Sequence, residues 1–226
     1  MQRPGGTHED FRLFPALQIG DPQHPQGTCL VDGLPRLRMK VGDDQVGVAP
    51  VVLLQQVALL GLLHDDAVRP AEPQPAFPQS IQKLFDSTVI FAGNPSLLSL
   101  DGVRVLAYHG RSMDDLVSAI PGMSYHRPID GMKAMLRMRH LAPIYGGKTP
   151  IAPEAEDHLI IDEVPDIFVT GHVHAVGVDQ YRGVVLVNAS TWQAQTPYQK
   201  MRNIEPMPAR LPIVDLSTGA AIIREF

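Results

Sequence analysis

Apolar and polar positions fall into readable periods only from about residue 66 onward. Residues 97–100 and 103–108 are largely apolar and flank Asp101-Gly102, a dipeptide with tight-turn chemistry, which predicts a β-hairpin. Residues 167–170 and 184–187 are short apolar runs, the pattern of strands covered on both faces. Short strands are also expected at 89–92 and 159–161, and the tail reads as strands 213–216 and 220–223 around Ser217-Thr218-Gly219. Between them lie helical patterns. Residues 80–85 predict a short helix, and Ser112 can cap a second over 113–120, with Asp114 and Asp115 complementing the macrodipole in its first turn. Asp130 can cap a third through His140, with Met132, Met135, Leu136 and Met138 on the apolar side and Lys133, Arg137 and Arg139 on a basic one. Residues 71–78 and 142–153 are proline-rich and glycine-rich loops. Strands with intervening helices, finishing in a run of strands, point to a two-sheet α/β sandwich. Residues 1–65 show no sustained period except at 51–60, a candidate buried helix, so the chain divides into a poorly readable segment, 1–65, and a structured region, 66–226.

The chemistry sits where apolar runs stop. The run 167–170 leads straight into Gly171-His172-Val173-His174, and the run 103–108 into His109-Gly110. Two imidazoles at i and i+2 past a buried strand can reach one metal cluster, because glycine lets the backbone turn and strand ends open onto a cleft. An isolated His-x-His is often only a surface turn. A second strand ending in His beside Gly shifts the balance toward a metal-dependent hydrolase. Asp114 and Asp115 are more simply helix-capping groups than catalysts, and the methionines are core filling.

Composition narrows the field without choosing a substrate. With 21 Pro and 19 Gly in 226 residues, many short elements joined by defined turns are favoured over a long bundle. A net charge of -5 argues against a broad nucleic-acid-coating surface but leaves room for a local phosphate site assisted by cations. The single cysteine, Cys29, excludes an intramolecular disulfide framework and a Cys-rich zinc module, so a cytoplasmic location is the simple expectation. No signal-peptide core follows Met1, and the apolar stretch 48–63 is broken by Pro50, Gln55 and Gln56, so no membrane role is expected.

Four blocks carry a family resemblance. Tyr108-His109-Gly110-Arg111-Ser112-Met113-Asp114-Asp115, Arg139-His140-Leu141-Ala142-Pro143, Gly171-His172-Val173-His174 and Asn188-Ala189-Ser190-Thr191-Trp192-Gln193-Ala194-Gln195-Thr196 together resemble the small subunit of archaeal family D DNA polymerase. That subunit is a calcineurin-like metallophosphoesterase. Gly-His-x-His alone indicates only the superfamily, whereas the His-Gly-Arg-Ser and Thr-Trp-Gln-x-Gln-Thr blocks are specific to the subunit. The resemblance spans about 66–226 and implies a calcineurin-like metallophosphoesterase two-sheet sandwich flanked by helices, incomplete on its N-terminal side. It also implies a 3′ to 5′ exonuclease that uses two divalent metal ions, commonly Mn2+, and proofreads for a large catalytic subunit on DNA. By that resemblance His109, His172 and His174 are metal ligands, and the block holding Trp192, Gln193 and Gln195 faces the large subunit. Read from the residues alone, Trp192 is a core anchor just past a strand.

Toward the N-terminus the pattern departs from the family. Its Gly-Asn-His-Asp block corresponds to Leu62-Leu63-His64-Asp65-Asp66, where His64 is either the general acid, with one residue inserted, or stands at the asparagine ligand. Asp32, in Thr28-Cys29-Leu30-Val31-Asp32-Gly33, resembles the metal-bridging aspartate but lacks the preceding Gly-Asp, and no Asp-x-His block matches. Two explanations stand side by side: a degenerate phosphoesterase, or a shifted reading frame ahead of His64. The expected metal content is accordingly two ions, one or none. The alternative to the nuclease is a non-catalytic scaffold subunit with a degenerate site. A phosphodiesterase acting on small substrates is disfavoured only by the family-specific blocks.

Overall fold

In the computed structural model the described residues are 17–19, 71–85, 91–100, 102–201 and 203–226. The candidate helix at 51–60, Asp32 and His64 lie outside them. The described elements are β1 (Leu17–Ile19), α1 (Gln79–Gln82), β2 (Ser96–Leu100), β3 (Val103–Ala107), α2 (Met113–Ala119), α3 (Pro128–Met138), β4 (Ile167–Thr170), β5 (Val176–Tyr181), β6 (Val184–Ala189), α4 (Pro197–Met201), β7 (Arg210–Val214) and β8 (Ala221–Glu225).

Six strands form one mixed sheet in the order β1-β2-β3-β4-β6-β5, and β7 and β8 form a separate hairpin. Its centre is parallel: Leu106 pairs with Phe168 and Phe168 with Leu186, while β2 and β5 run antiparallel beside β3 and β6. Because side chains alternate across a sheet, these rows separate onto two faces. Leu106, Phe168 and Leu186 pack with Met113 and Leu116 of α2 and Met132 and Met135 of α3. Val105, Ile167, Val169, Val185 and Val187 pack with Val214 of the hairpin. The expected two-sheet α/β sandwich with flanking helices is therefore present, layered as helices, main sheet and hairpin. Among the described residues no helix is long and apolar enough to cross a membrane.

Local details correct several expectations. Ser112 does not cap α2: its backbone is helical, and its Oγ donates to the Leu141 carbonyl instead, tying the loop after α3 to the start of α2. Asp130 is not the cap of α3 but lies in its first turn, paired with Arg127 at 3.3 Å, because Pro128 opens the helix with its preset φ. The helix stops before His140, since Arg139 takes a left-handed φ of 55° and its guanidinium donates to the carbonyls of Ile161 and Asp162. Met138 is exposed rather than core. The strand expected at 159–161 is reduced to one bridge between Ile160 and His140, and residues 91–92 are not in a strand. The missed strand β5 carries Gly177, Asp179 and Gln180, so it lacks an apolar run. Gly177 is required there, because a Cβ would sit 2.9 Å from Ile129 Cγ1 of α3.

Candidate metal centre

Parallel strands place their C-terminal ends at one edge, and β3 and β4 do this for the two histidine segments. Pairing continues past both strands: the Tyr108 N–H donates to the Val169 carbonyl and the Gly171 N–H to the His109 carbonyl, each at 3.0 Å. Gly110 allows the close approach, with a φ of 99° and a Cβ position only 3.3 Å from the Gly171 oxygen. His172 and His174 themselves adopt left-handed φ values of 67° and 57°, so the loop coils tightly and turns its imidazoles toward the edge.

His109 and His172 meet there. Nδ1 of His172 lies 3.1 Å from Nε2 of His109, with ring centroids 4.9 Å apart and planes at 74°. The other nitrogen of His172, Nε2, lies 3.2 Å from Oδ2 of Asp114. Burial above all, then the charge of His172, Arg111 and His174, lowers His109 to a pKa of about 3, so its ring is neutral at pH 7. For Asp114, burial acts upward, but its hydrogen bond and charge interaction with His172, with help from Tyr125 and Lys148, hold it below the ordinary carboxylate range.

His174 turns to a different partner. Gln199 Nε2 on α4 donates to His174 Nδ1 at 2.7 Å, and the amide is oriented by its oxygen accepting from the Thr196 N–H at 2.9 Å. Burial, then His172, lowers the His174 pKa. The neutral ring therefore carries its proton on Nε2.

A polar frame lies behind the pair. Asn94 Oδ1 accepts the His109 N–H at 2.8 Å, and its amide nitrogen donates to Gln74 at 3.0 Å. The Tyr108 hydroxyl donates to the buried Glu72 at 2.6 Å and accepts the Ser112 N–H at 3.2 Å. Burial raises Glu72, against the opposing effects of Tyr108, Arg111, His172 and Asn94, while burial and then Glu72 raise Tyr108 well above the usual phenol. On the other side, fully buried Asn188 donates to Thr170 Oγ1 at 2.8 Å and to the Gly171 carbonyl at 3.0 Å, clamping the start of the loop. Sequence reasoning missed Glu72, Asn94 and Gln199 and took Asp114 for a dipole group. The proline-spaced strap over 71–78 and the Thr-Trp-Gln-x-Gln-Thr block were the available signals.

Two imidazole nitrogens 3.1 Å apart match two ligands about 2.0–2.1 Å from one first-row ion, which stand about 2.8–3.4 Å apart between right-angled and tetrahedral geometry. The pair fits two positions of a coordination shell. Among the described residues no group of three or more His, Cys, Asp or Glu side chains is gathered to hold a metal ion, so His174 does not complete the set.

In the C-terminal block, Trp192 differs from its expected role as a core anchor. Trp192 is 37% exposed and packs at 5.7 Å between ring centroids against Phe226, itself 74% exposed. Gln193 is exposed, and Gln195 donates to the Ile204 carbonyl at 2.8 Å.

A family model for the DNA polymerase alpha/epsilon B-subunit matches residues 56–176, more than half of the chain, and includes His109, His172 and His174. The DNA polymerase II small subunit of Archaeoglobus fulgidus is 53% identical over 161 residues, covering 71% of this chain. The chain belongs to the DNA polymerase II small-subunit family. Within this family, the small subunit of Methanocaldococcus jannaschii is 51% identical over 236 residues and covers 93% of the chain, so that similarity reaches into the residues before 66. The chain spans about a third of the length of the family members it matches, 33% of the Archaeoglobus protein and 40% of the Methanocaldococcus one. Among solved structures, Vps29 of Entamoeba histolytica complexed with zinc is similar at 14% identity and a TM-score of 0.27, covering 58% of each chain.

Proposed function

We propose that this chain supplies the phosphodiester-hydrolysing part of a replicative DNA polymerase small subunit, a metal-dependent 3′ to 5′ exonuclease that proofreads for a large catalytic subunit. The supporting observation is the pair of partly buried imidazoles, His109 and His172, converging at 3.1 Å on the edge formed by two parallel strands. His109 and His172 would hold one divalent ion, Mn2+ by family resemblance. His174 would join through a ring nitrogen once Gln199 no longer fixes its tautomer. Asp32 and His64 are the candidates for the remaining ligand and acid positions. Bound there, divalent cations would supply hydroxide from water and charge stabilisation for the scissile phosphate. The chain's own contribution is orientation: Asn94 fixes the His109 backbone and Asn188 fixes the Gly171 carbonyl. The exposed Trp192–Phe226 pair, with Gln193 and Gln195 beside it in the sequence, is the proposed contact with the large subunit.

A second reading, a non-catalytic scaffold subunit, is favoured by the absence of a three-ligand group among the described residues. One experiment separates the two. The 226-residue chain is titrated with Mn2+ by calorimetry and assayed on 3′-labelled DNA. Metal binding with nucleotide release from the 3′ end establishes the nuclease, and His174→Ala should then abolish hydrolysis while leaving the circular dichroism spectrum unchanged. Binding without hydrolysis establishes the scaffold, and no binding overturns the metal reading altogether.

A further inference from the structure

The first turn of α2 carries adjacent carboxylates with separate tasks. Asp115, 5% exposed, turns inward and accepts the backbone N–H groups of Lys148 and Thr149, pinning the loop that follows α3. Asp114 turns the other way, to His172, with its Oδ2 3.2 Å from Nε2 of the ring. A macrodipole role does not account for this contact, since an aspartate pointing to solvent would serve the dipole equally well. The carboxylate is itself steadied by a hydrogen bond with Tyr125.

Hydrogen-bond chemistry then assigns the ring. An ionised carboxylate only accepts, so the nitrogen facing it must donate, and a neutral imidazole with its proton on Nε2 presents a lone pair at Nδ1. Nδ1 is the atom facing His109 Nε2. We propose that Asp114 is a positioning residue that holds His172 in the Nε2–H tautomer, keeping Nδ1 unprotonated and aimed at the point shared with His109. The inference deepens the metal reading of that pair, and in a loaded site the arrangement would be a carboxylate–histidine–metal relay. Such outer partners typically contribute about 10- to 100-fold in metal affinity.

The test has two arms. Long-range 1H–15N correlation spectra of the full 226-residue chain, uniformly labelled and metal-free, report the tautomer of His172, whose signals are assigned by their loss in His172→Gln. The Nε2–H pattern is expected in the unmodified chain, giving way to a mixture of tautomers in Asp114→Asn and Asp114→Ala. An Nδ1–H tautomer in the unmodified chain, or a pure Nε2–H tautomer in Asp114→Ala, overturns the proposal. In the second arm Mn2+ itself is the probe: both variants should bind it about 10- to 100-fold more weakly, Asp114→Glu should recover part of the loss, and Asp130→Asn on α3 should match the unmodified chain. Equal Mn2+ affinity in all variants overturns the positioning role. Should the unmodified chain bind no Mn2+, the ligand reading of the pair fails while the tautomer arm still decides the role of Asp114.

Discussion

The two faces of the main sheet are made by alternate residues of the same strands, yet they are built differently. One face presents Leu106, Phe168 and Leu186 to the long side chains of α2 and α3, with Met113, Leu116, Met132 and Met135 filling between them. The other presents mainly β-branched Val105, Ile167, Val169, Val185 and Val187 to a hairpin. Helices need varied, interlocking volumes to fix their position on a sheet, whereas a sheet packed on a hairpin tolerates uniform side chains. The helical face also sets α2, and α2 carries Asp114 to the histidine pair. Packing and chemistry are therefore coupled on one face and nearly independent on the other.

That contrast can be broken from its strong side. Phe168 is fully buried at the centre of the helical face, and Phe168→Ala should cost about 3–5 kcal/mol in urea unfolding. Because α2 loses its support, the same variant should also lose the single His172 tautomer in correlation spectra. On the opposite face Ile167→Val removes one methylene and should cost only about 0.5–1.5 kcal/mol, leaving the His172 signals in place. A change in the His172 tautomer in Ile167→Val would show that the two faces are not independent. The smallest stability effect is expected at the rim: Trp192→Ala should stay within about 0.5 kcal/mol in unfolding while weakening capture by the large subunit in a binding assay. Unchanged capture would remove Trp192 from the proposed contact.

Much of the fold was legible because buried parallel strands announce themselves as apolar runs, and both runs of the site end at a His beside a Gly. The positions of His109 and His172 followed directly, since strand pairing carries on to His109 and Gly171, the residue before His172. What was not legible depended on contacts distant in the chain. Asp114 has the same sequence signature whether it serves a helix dipole or an imidazole, and only the packing of α2 beside β4 distinguishes them. Ser112 looked like a cap, but the Leu141 carbonyl offered its hydroxyl a buried acceptor. Strand β5 was hidden because as an edge strand it needs one apolar face at most, and close packing on α3 put a glycine where a β-branched residue would announce a strand. Trp192 was read as core from its aromatic bulk, yet an indole with a polar edge also suits a half-exposed rim.

The backbone of Gly171-His172-Val173-His174 has a consequence for how such a chain changes under selection. Left-handed conformation at a non-glycine residue costs about 1–2 kcal/mol, and this tetrapeptide accepts it at both His172 and His174. Glycine would relieve each position, so selection for thermal endurance alone has a direct route to erasing both imidazoles while the fold survives. Their presence together in a conformation that favours another residue means the loop has been shaped by a demand other than stability.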